Sequence, residues 1–184
     1  MSSTALEPVA FLNCRLVPLR EACLSIVDDG FVQGATVTER VRTFAHRPYR
    51  LAEHLDRLRW SLERTGIAPA SLVDSLPTEI ERVVTHNARL IADWQDLAIV
   101  VAVTPGLNQG LSAEFGGDRS PTICVHSTPL PSAEWARLAA SGVSLATPSV
   151  RQVSPLSVDP QIKHRSRLHW FLSDREARQV DPHA

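Results

Sequence analysis

Seven apolar residues in a row, Leu97–Val103 (LAIVVAV), constrain the fold of this chain more than any other stretch. A run this short and this rich in β-branched residues predicts a buried strand, so the fold must contain a sheet with neighbours on either side. It falls far short of the length needed to cross a membrane, and no other run comes closer. Other strands are predicted around it. Residues 9–17 (VAFLNCRLV) form two short strands about a turn at Asn13-Cys14, although Cys14 stands where glycine is usual. Further strands are expected at Cys23–Val27, Val37–Ala45 and Pro121–Ser127, with turns at Asp28-Asp29-Gly30 and His46-Arg47-Pro48.

Two helices have a clear period. Leu51, Leu55, Leu58 and Leu62 recur as one stripe, and Gly66 is placed to stop the helix. A second helix is predicted from Pro77 to Leu90, with Ile80, Val83, Val84 and Ile91 on its apolar side. A glycine-rich loop follows the apolar strand, Gly106 to Gly117. Pro129-Leu130-Pro131 then breaks regular structure. Beyond it come a short helix near Ala133–Ala140, a strand near Val143–Ala146, and a last helix capped by Asp159 and Pro160, burying Leu168, Phe171 and Leu172. Strands, then helices, then strands predict an α+β fold with mainly antiparallel pairing. The expected organisation is a small α+β domain over 1–128, a linker over 129–136, and the incomplete opening of a larger α/β domain over 137–184.

Composition excludes several functions. With 184 residues and a net charge of −1, the chain has no global field for nucleic acid or an anionic membrane. Cys14, Cys23 and Cys124 are scattered without metal-ligand spacing, which predicts reduced thiols and no metal site. Met1-Ser2-Ser3-Thr4 opens no basic-then-apolar leader, so a cytoplasmic protein is expected.

The candidate chemistry centres on one residue. Lys163 is the single lysine beside eighteen arginines. Arginine can carry a charge or clamp a phosphate, but it cannot deprotonate and attack a carbonyl as a lysine amine can. On the predicted last helix, Lys163 would sit near the positive end of the dipole, which would lower its pKa. The plain alternative is that Lys163, His164, Arg165 and Arg167 make a solvated basic face. Arg57 falls with His54 and Ser61 along one flank of the leucine stripe, where a guanidinium could hold a phosphate. Its plain alternative is a surface pair with Glu53.

Residues 28–67 carry Asp28, Gly30, Phe31, Gly34, Val37, Glu39, Leu51, His54, Arg57 and Leu58, and Ile162-Lys163 lies about a hundred residues on. This ordered set closely resembles the signature of the class IV, or fold type IV, aminotransferases. These are pyridoxal-phosphate enzymes that include branched-chain and D-amino-acid aminotransferases and aminodeoxychorismate lyase. The resemblance implies that Lys163 forms the Schiff base with pyridoxal 5'-phosphate and then moves the α-proton, and that Arg57 binds the cofactor phosphate. It implies an amino acid and a 2-oxo acid as substrates, and a homodimer. It leaves transamination, β-elimination of the lyase type, and a noncatalytic dimerising remnant as alternatives.

Departures from the family pattern also matter. Thr38 and Gln33 replace residues that are usually aromatic in the substrate pocket. Ala98 and Pro105 stand where relatives place a carboxylate-binding arginine. Arg40 or Arg42 could substitute, and strand alternation puts both on one face. The family's glutamate for the pyridine nitrogen falls beyond Ala184, so a truncated form of a longer enzyme, with impaired activity, is expected.

Overall fold

A computed structural model describes residues 6–111 and 120–181. The chain divides into two compact units. The first runs to Leu130 and also holds Lys163–Arg165; the second holds Pro131–Ile162 and the residues from Ser166 onward.

The first unit is a six-stranded antiparallel sheet with two long helices. The strands are β1 (Val9–Leu12), β2 (Arg15–Pro18), β3 (Val37–Phe44), β4 (Arg47–Pro48), β5 (Leu97–Thr104) and β6 (Thr122–Pro129), in the order β2-β1-β6-β5-β3-β4. The apolar run is β5, paired along its whole length with β6 on one side and over Ala98–Val103 with β3 on the other. The β1–β2 turn forms at Asn13 and Cys14 with both φ angles positive, 46° and 68°. A two-residue hairpin requires that conformation, and Asn13 is pinned in it by mutual bonds with the backbone of Ile123.

Alternation divides the sheet into two faces. Val37, Val41, Ile99, Val101, Val103 and Val125 lie on one, fully buried. Against that face pack α2 (Leu51–Thr65) and α3 (Leu76–Ala88), which bury Leu55, Leu58, Leu62, Ile80, Val83 and Val84. Gly66 ends α2 at φ 65°, donating its N–H to Leu62 O. The buried Asn87 of α3 ties the helix to the sheet: its amide bonds Val9 N–H, Val9 C=O and the Ser127 hydroxyl. At the other end of β3, Asp28 caps the short helix α1 (Asp29–Val32) and accepts bonds from Gly30 N–H and the hydroxyls of Thr104 and Thr122. A Cβ at Gly30 would stand 2.4 Å from Thr104 Cγ2 and 2.9 Å from Asp28 Oδ1, so only glycine fits there.

The second unit contains α4 (Ser132–Ser141) and α5 (Leu168–Val180) with irregular chain between them. Glu176 of α5 accepts bonds from the backbone and hydroxyl of Ser149.

Several expectations are corrected. Cys23–Val27 is irregular chain, because Val27 C=O is taken by Asn108 N–H rather than by a neighbouring strand. No strand forms at 143–146. The last helix starts at Leu168, not after Asp159. The Asp159 carboxylate accepts from Gln161 N–H and its carbonyl from Ile162 N–H, closing a local turn that competes with a helix start. The helix's expected buried residues stay open, with Leu168 at 71% and Phe171 at 65% exposure. α3 ends at Ala88, which leaves Ile91 beyond it. Most of the glycine-rich loop, 112–119, lies outside the described residues.

Candidate active site

Strand alternation that buries Val37 and Val41 also turns Glu39 toward the helices. Its side chain is fully buried. An ionised carboxylate in an apolar layer must be met by donors, and α2 supplies them. Arg57 grips Glu39 with two parallel bonds, Nε to Oε2 at 2.7 Å and Nη2 to Oε1 at 2.6 Å. The backbone N–H of Arg40 adds a third at 2.7 Å, and His54 Nδ1 lies 3.2 Å from Oε1. Burial pushes the Glu39 carboxyl upward, but the Arg57 bonds and charge, with the Arg40 N–H and His54, hold it below the usual range. Its carboxylate in turn raises Arg57 further above its ordinary value. Glu53 is bonded instead to Arg50 at 2.8 Å, so the surface pairing of Arg57 with Glu53 does not form. The Arg57 side chain is about half exposed, with Nε and Nη2 held inward.

Lys163 reaches this neighbourhood by its main chain. β4 covers only Thr43 and Phe44, so the early edge of β3 is open to another strand. Residues 163–165 fill it: Thr38 N–H donates to Lys163 O at 2.8 Å, and Arg165 N–H donates to Thr36 O at 2.9 Å. His164 is thereby bridged to Val37. Lys163 N–H also points at Ser61 Oγ, at a long 3.5 Å. The helix-dipole account of Lys163 is therefore corrected. The residue lies in extended chain, five residues before α5, because β3's unpaired backbone groups capture it.

Two separate threads join the lysine to the guanidinium. One runs from Lys163 C=O through Thr38 to its neighbour Glu39 and on to Arg57. The other runs from Lys163 N–H to Ser61, one turn beyond Arg57 on α2. Of the flank read from helical periodicity, His54 and Arg57 meet Glu39, and Ser61 faces the Lys163 N–H. Glu39 was visible only as a motif position; its role as the partner of Arg57 was missed. The available signal was its alternation with Val37 and Val41, which forces a carboxylate inward.

The remaining candidates separate. Gln33 is exposed, and its amide bonds Asp29 at 2.8 Å. The Thr38 hydroxyl donates its proton to Val101 O at 2.8 Å, which leaves it only as an acceptor. Arg42 bonds Thr43 O through Nε, approaches Asp96 at 3.8 Å, and lies 3.9 Å over the Phe44 ring. Arg40 is exposed and its guanidinium makes no hydrogen bond or ion pair among the described residues.

The first unit thus combines an antiparallel sheet, a buried carboxylate held by a half-exposed guanidinium, and the main chain of the single lysine along the edge of β3. The model of the family described as amino-transferase class IV matches residues 36–183, and the chain belongs to that family. A protein of Methanocaldococcus jannaschii with a provisional branched-chain-amino-acid aminotransferase name is 28% identical over 169 residues, covering 91% of this chain and 54% of its own length. Branched-chain-amino-acid aminotransferase-like protein 2 of Arabidopsis thaliana is 26% identical over 176 residues, covering 92% of this chain and 29% of its own. The chain thus spans about half the length of the first relative and less of the second. Among solved structures, the branched-chain aminotransferase of the thermophilic archaeon Thermoproteus uzoniensis, crystallised with norvaline, has a TM-score of 0.65 at 20% identity, over 95% of this chain and 57% of that one. The PLP-bound form of a hypothetical aminotransferase from Mycobacterium tuberculosis has a TM-score of 0.71 at 19% identity, over 94% and 59%. At these identities the structural likeness establishes the fold.

Proposed function

We propose that this chain works as part of a pyridoxal-phosphate-dependent aminotransferase that moves an amino group between a branched-chain-type amino acid and a 2-oxo acid. The observation that carries the proposal is the double connection between Lys163 and Arg57 through Thr38–Glu39 and through Ser61. The residue types suit the cofactor: an amine that can deprotonate, and a permanent cation that can take phosphate oxygens. Lys163 Nζ would join the cofactor aldehyde and later take and return the substrate α-proton. Arg57 would hold the phosphate with the part of its guanidinium not bound by Glu39. Glu39 fixes the angle of that fork, so Arg57 meets the phosphate with little orientation left to lose. Pyridoxal phosphate, when bound, supplies the aldehyde and the electron-withdrawing ring on which amino transfer depends.

The same proposal takes residues 1–128 as a small domain, 129–136 as a linker and 137–184 as the opening of a cofactor domain, in a protein that acts as a homodimer. Titration with pyridoxal phosphate, borohydride reduction and peptide mapping test it. The expected result is a single reduced adduct on the peptide holding Lys163, lost in Lys163→Ala and weakened in Arg57→Gln. An adduct spread over other amines, or unchanged in Lys163→Ala, would overturn it.

A further inference from the structure

Glu39 takes one of the two forks that Arg57 can offer. Its bonds use the Nε hydrogen and one hydrogen of Nη2. A guanidinium carries five N–H groups in a fixed plane, so the second Nη2 hydrogen and one on Nη1 make another fork, aimed away from the carboxylate. That outer fork is the part of Arg57 left for an anion. His54 stands beside it. It precedes Arg57 by three residues on α2, which puts both side chains on one face of the helix. Its Nδ1 lies 3.4 Å from Arg57 Nη2 and 3.2 Å from Glu39 Oε1, so it faces a donor and an acceptor together. Nδ1 has one bonding position in the ring plane. A lone pair there accepts from Nη2 and takes up a hydrogen of the outer fork. A hydrogen there donates to Glu39 and leaves the fork whole.

The surroundings decide which state holds without a ligand. Glu39 Oε1 already accepts from Arg57 Nη2 at 2.6 Å and from Arg40 N–H at 2.7 Å, which fills both of its lone pairs. A third donor is crowded there, so neutral His54 serves Nη2 as an acceptor. The other charged groups around α2 are engaged or turned elsewhere. Arg50 and Glu53 are bonded to each other at 2.8 Å. Asp74, in the turn Ala70–Ser75 packed against α2, is bonded to Arg59. On β3, alternation turns Arg40 and Arg42 to the opposite side of the sheet from Glu39. His164, bridged to Val37, shares the helix-facing side.

We propose that His54 is a positioning residue for the anion on Arg57: a phosphate-type dianion takes the outer fork, and Nδ1 changes from accepting at Arg57 to donating to Glu39. The proposal rests on the reading of Arg57 as the cation for the cofactor phosphate and adds the group that sets how much of that cation is available.

The test is a titration of the full chain with sodium sulfate, exchanged for sodium chloride at constant ionic strength, with nitrogen NMR reading the histidine rings near pH 8.5. An ordinary imidazole is neutral there, about two units above its usual midpoint, so a change at this pH is one of tautomer and not of charge. The His54 signals are assigned by their loss in His54→Asn, and the Arg57 Nε signal reports binding itself. Saturating sulfate is expected to move the His54 proton from Nε2 to Nδ1. Arg57→Lys, which keeps the cation but not the fork, should abolish the move. His54→Phe removes the competing acceptor and should bind sulfate about threefold tighter, the contribution of one long hydrogen bond. His54→Asn sets a polar atom where Nδ1 stands and should return the affinity to that of the parent. A merely structural His54 predicts the reverse, weaker binding in His54→Phe and a tautomer blind to sulfate, and either result overturns the proposal. If sulfate does not bind at Arg57, the phosphate reading of that residue falls as well. If sulfate binds there and the tautomer stays, only the role of His54 falls.

Discussion

Deleting either partner of the Glu39–Arg57 pair removes the same two hydrogen bonds, yet the two deletions should differ in cost. Glu39 is wholly inside, while the Arg57 side chain is about half exposed. In Arg57→Met the carboxylate stays in the apolar layer with only the Arg40 N–H and His54 beside it. Loss of one partner of a buried pair costs about 3–5 kcal/mol, and the two surviving donors place this case near the lower end, about 3 kcal/mol. In Glu39→Gln the guanidinium can turn into water, and the amide still accepts from the Arg40 N–H. The cost is then about 1–2 kcal/mol, the range for hydrogen bonds to a charged group. Because both variants lose the same contact, the double variant should cost clearly less than the sum.

The pH dependence has a definite sign. The folded Glu39 carboxyl lies below its ordinary range, so its contribution is complete above the unfolded pKa. It is lost as the pH falls through the lower folded value. In Arg57→Met, burial is left largely unopposed and the carboxyl should rise above its unfolded value. The variant should then be worst near neutral pH and approach the parent as acid neutralises Glu39. Amide hydrogen exchange of β3 and β5 under urea measures this, since it reports on the first unit alone. Equal costs for the two single variants, or an Arg57→Met penalty that grows in acid, would refute the reasoning.

Two other outcomes follow from the same packing. Gly30→Ala should destabilise the first unit by about 1–3 kcal/mol through the clash with Thr104 Cγ2, and adding Thr104→Ser should recover part of it, because serine lacks that methyl but keeps the hydroxyl for Asp28. Chemical denaturation of the single and double variants gives the comparison, and an unaffected Gly30→Ala refutes it. Asn87→Ala should cost about 2–3 kcal/mol, because it strands the buried Val9 backbone groups and the Ser127 hydroxyl. The Val9 amide should lose its exchange protection first; if it stays as protected as its β1 neighbours, Asn87 is not the clamp described.

Local pattern was enough for those parts of the fold in which one segment's chemistry has one solution. Leu97–Val103 had to be a central strand, the leucines of 51–62 had to face a core, and Gly66 had to end that helix, because burial and backbone geometry act within a few residues. Arg57 and Lys163 were legible as candidates because their side-chain chemistry is distinctive and their order along the chain matches a known pattern. The neighbours each would find were not legible. Asp159 and Pro160 look like a helix start until β3's open edge competes for the residues that follow. Glu39 looks like an ordinary strand glutamate until α2 brings Arg57 and His54 against it. Arg40 and Arg42 are equivalent by alternation, and only the contacts of Arg42 with Asp96 and the Phe44 ring distinguish them. Periodicity records which way a side chain turns. Which charge it meets there depends on contacts between segments far apart in the chain, and the tertiary structure alone decided those.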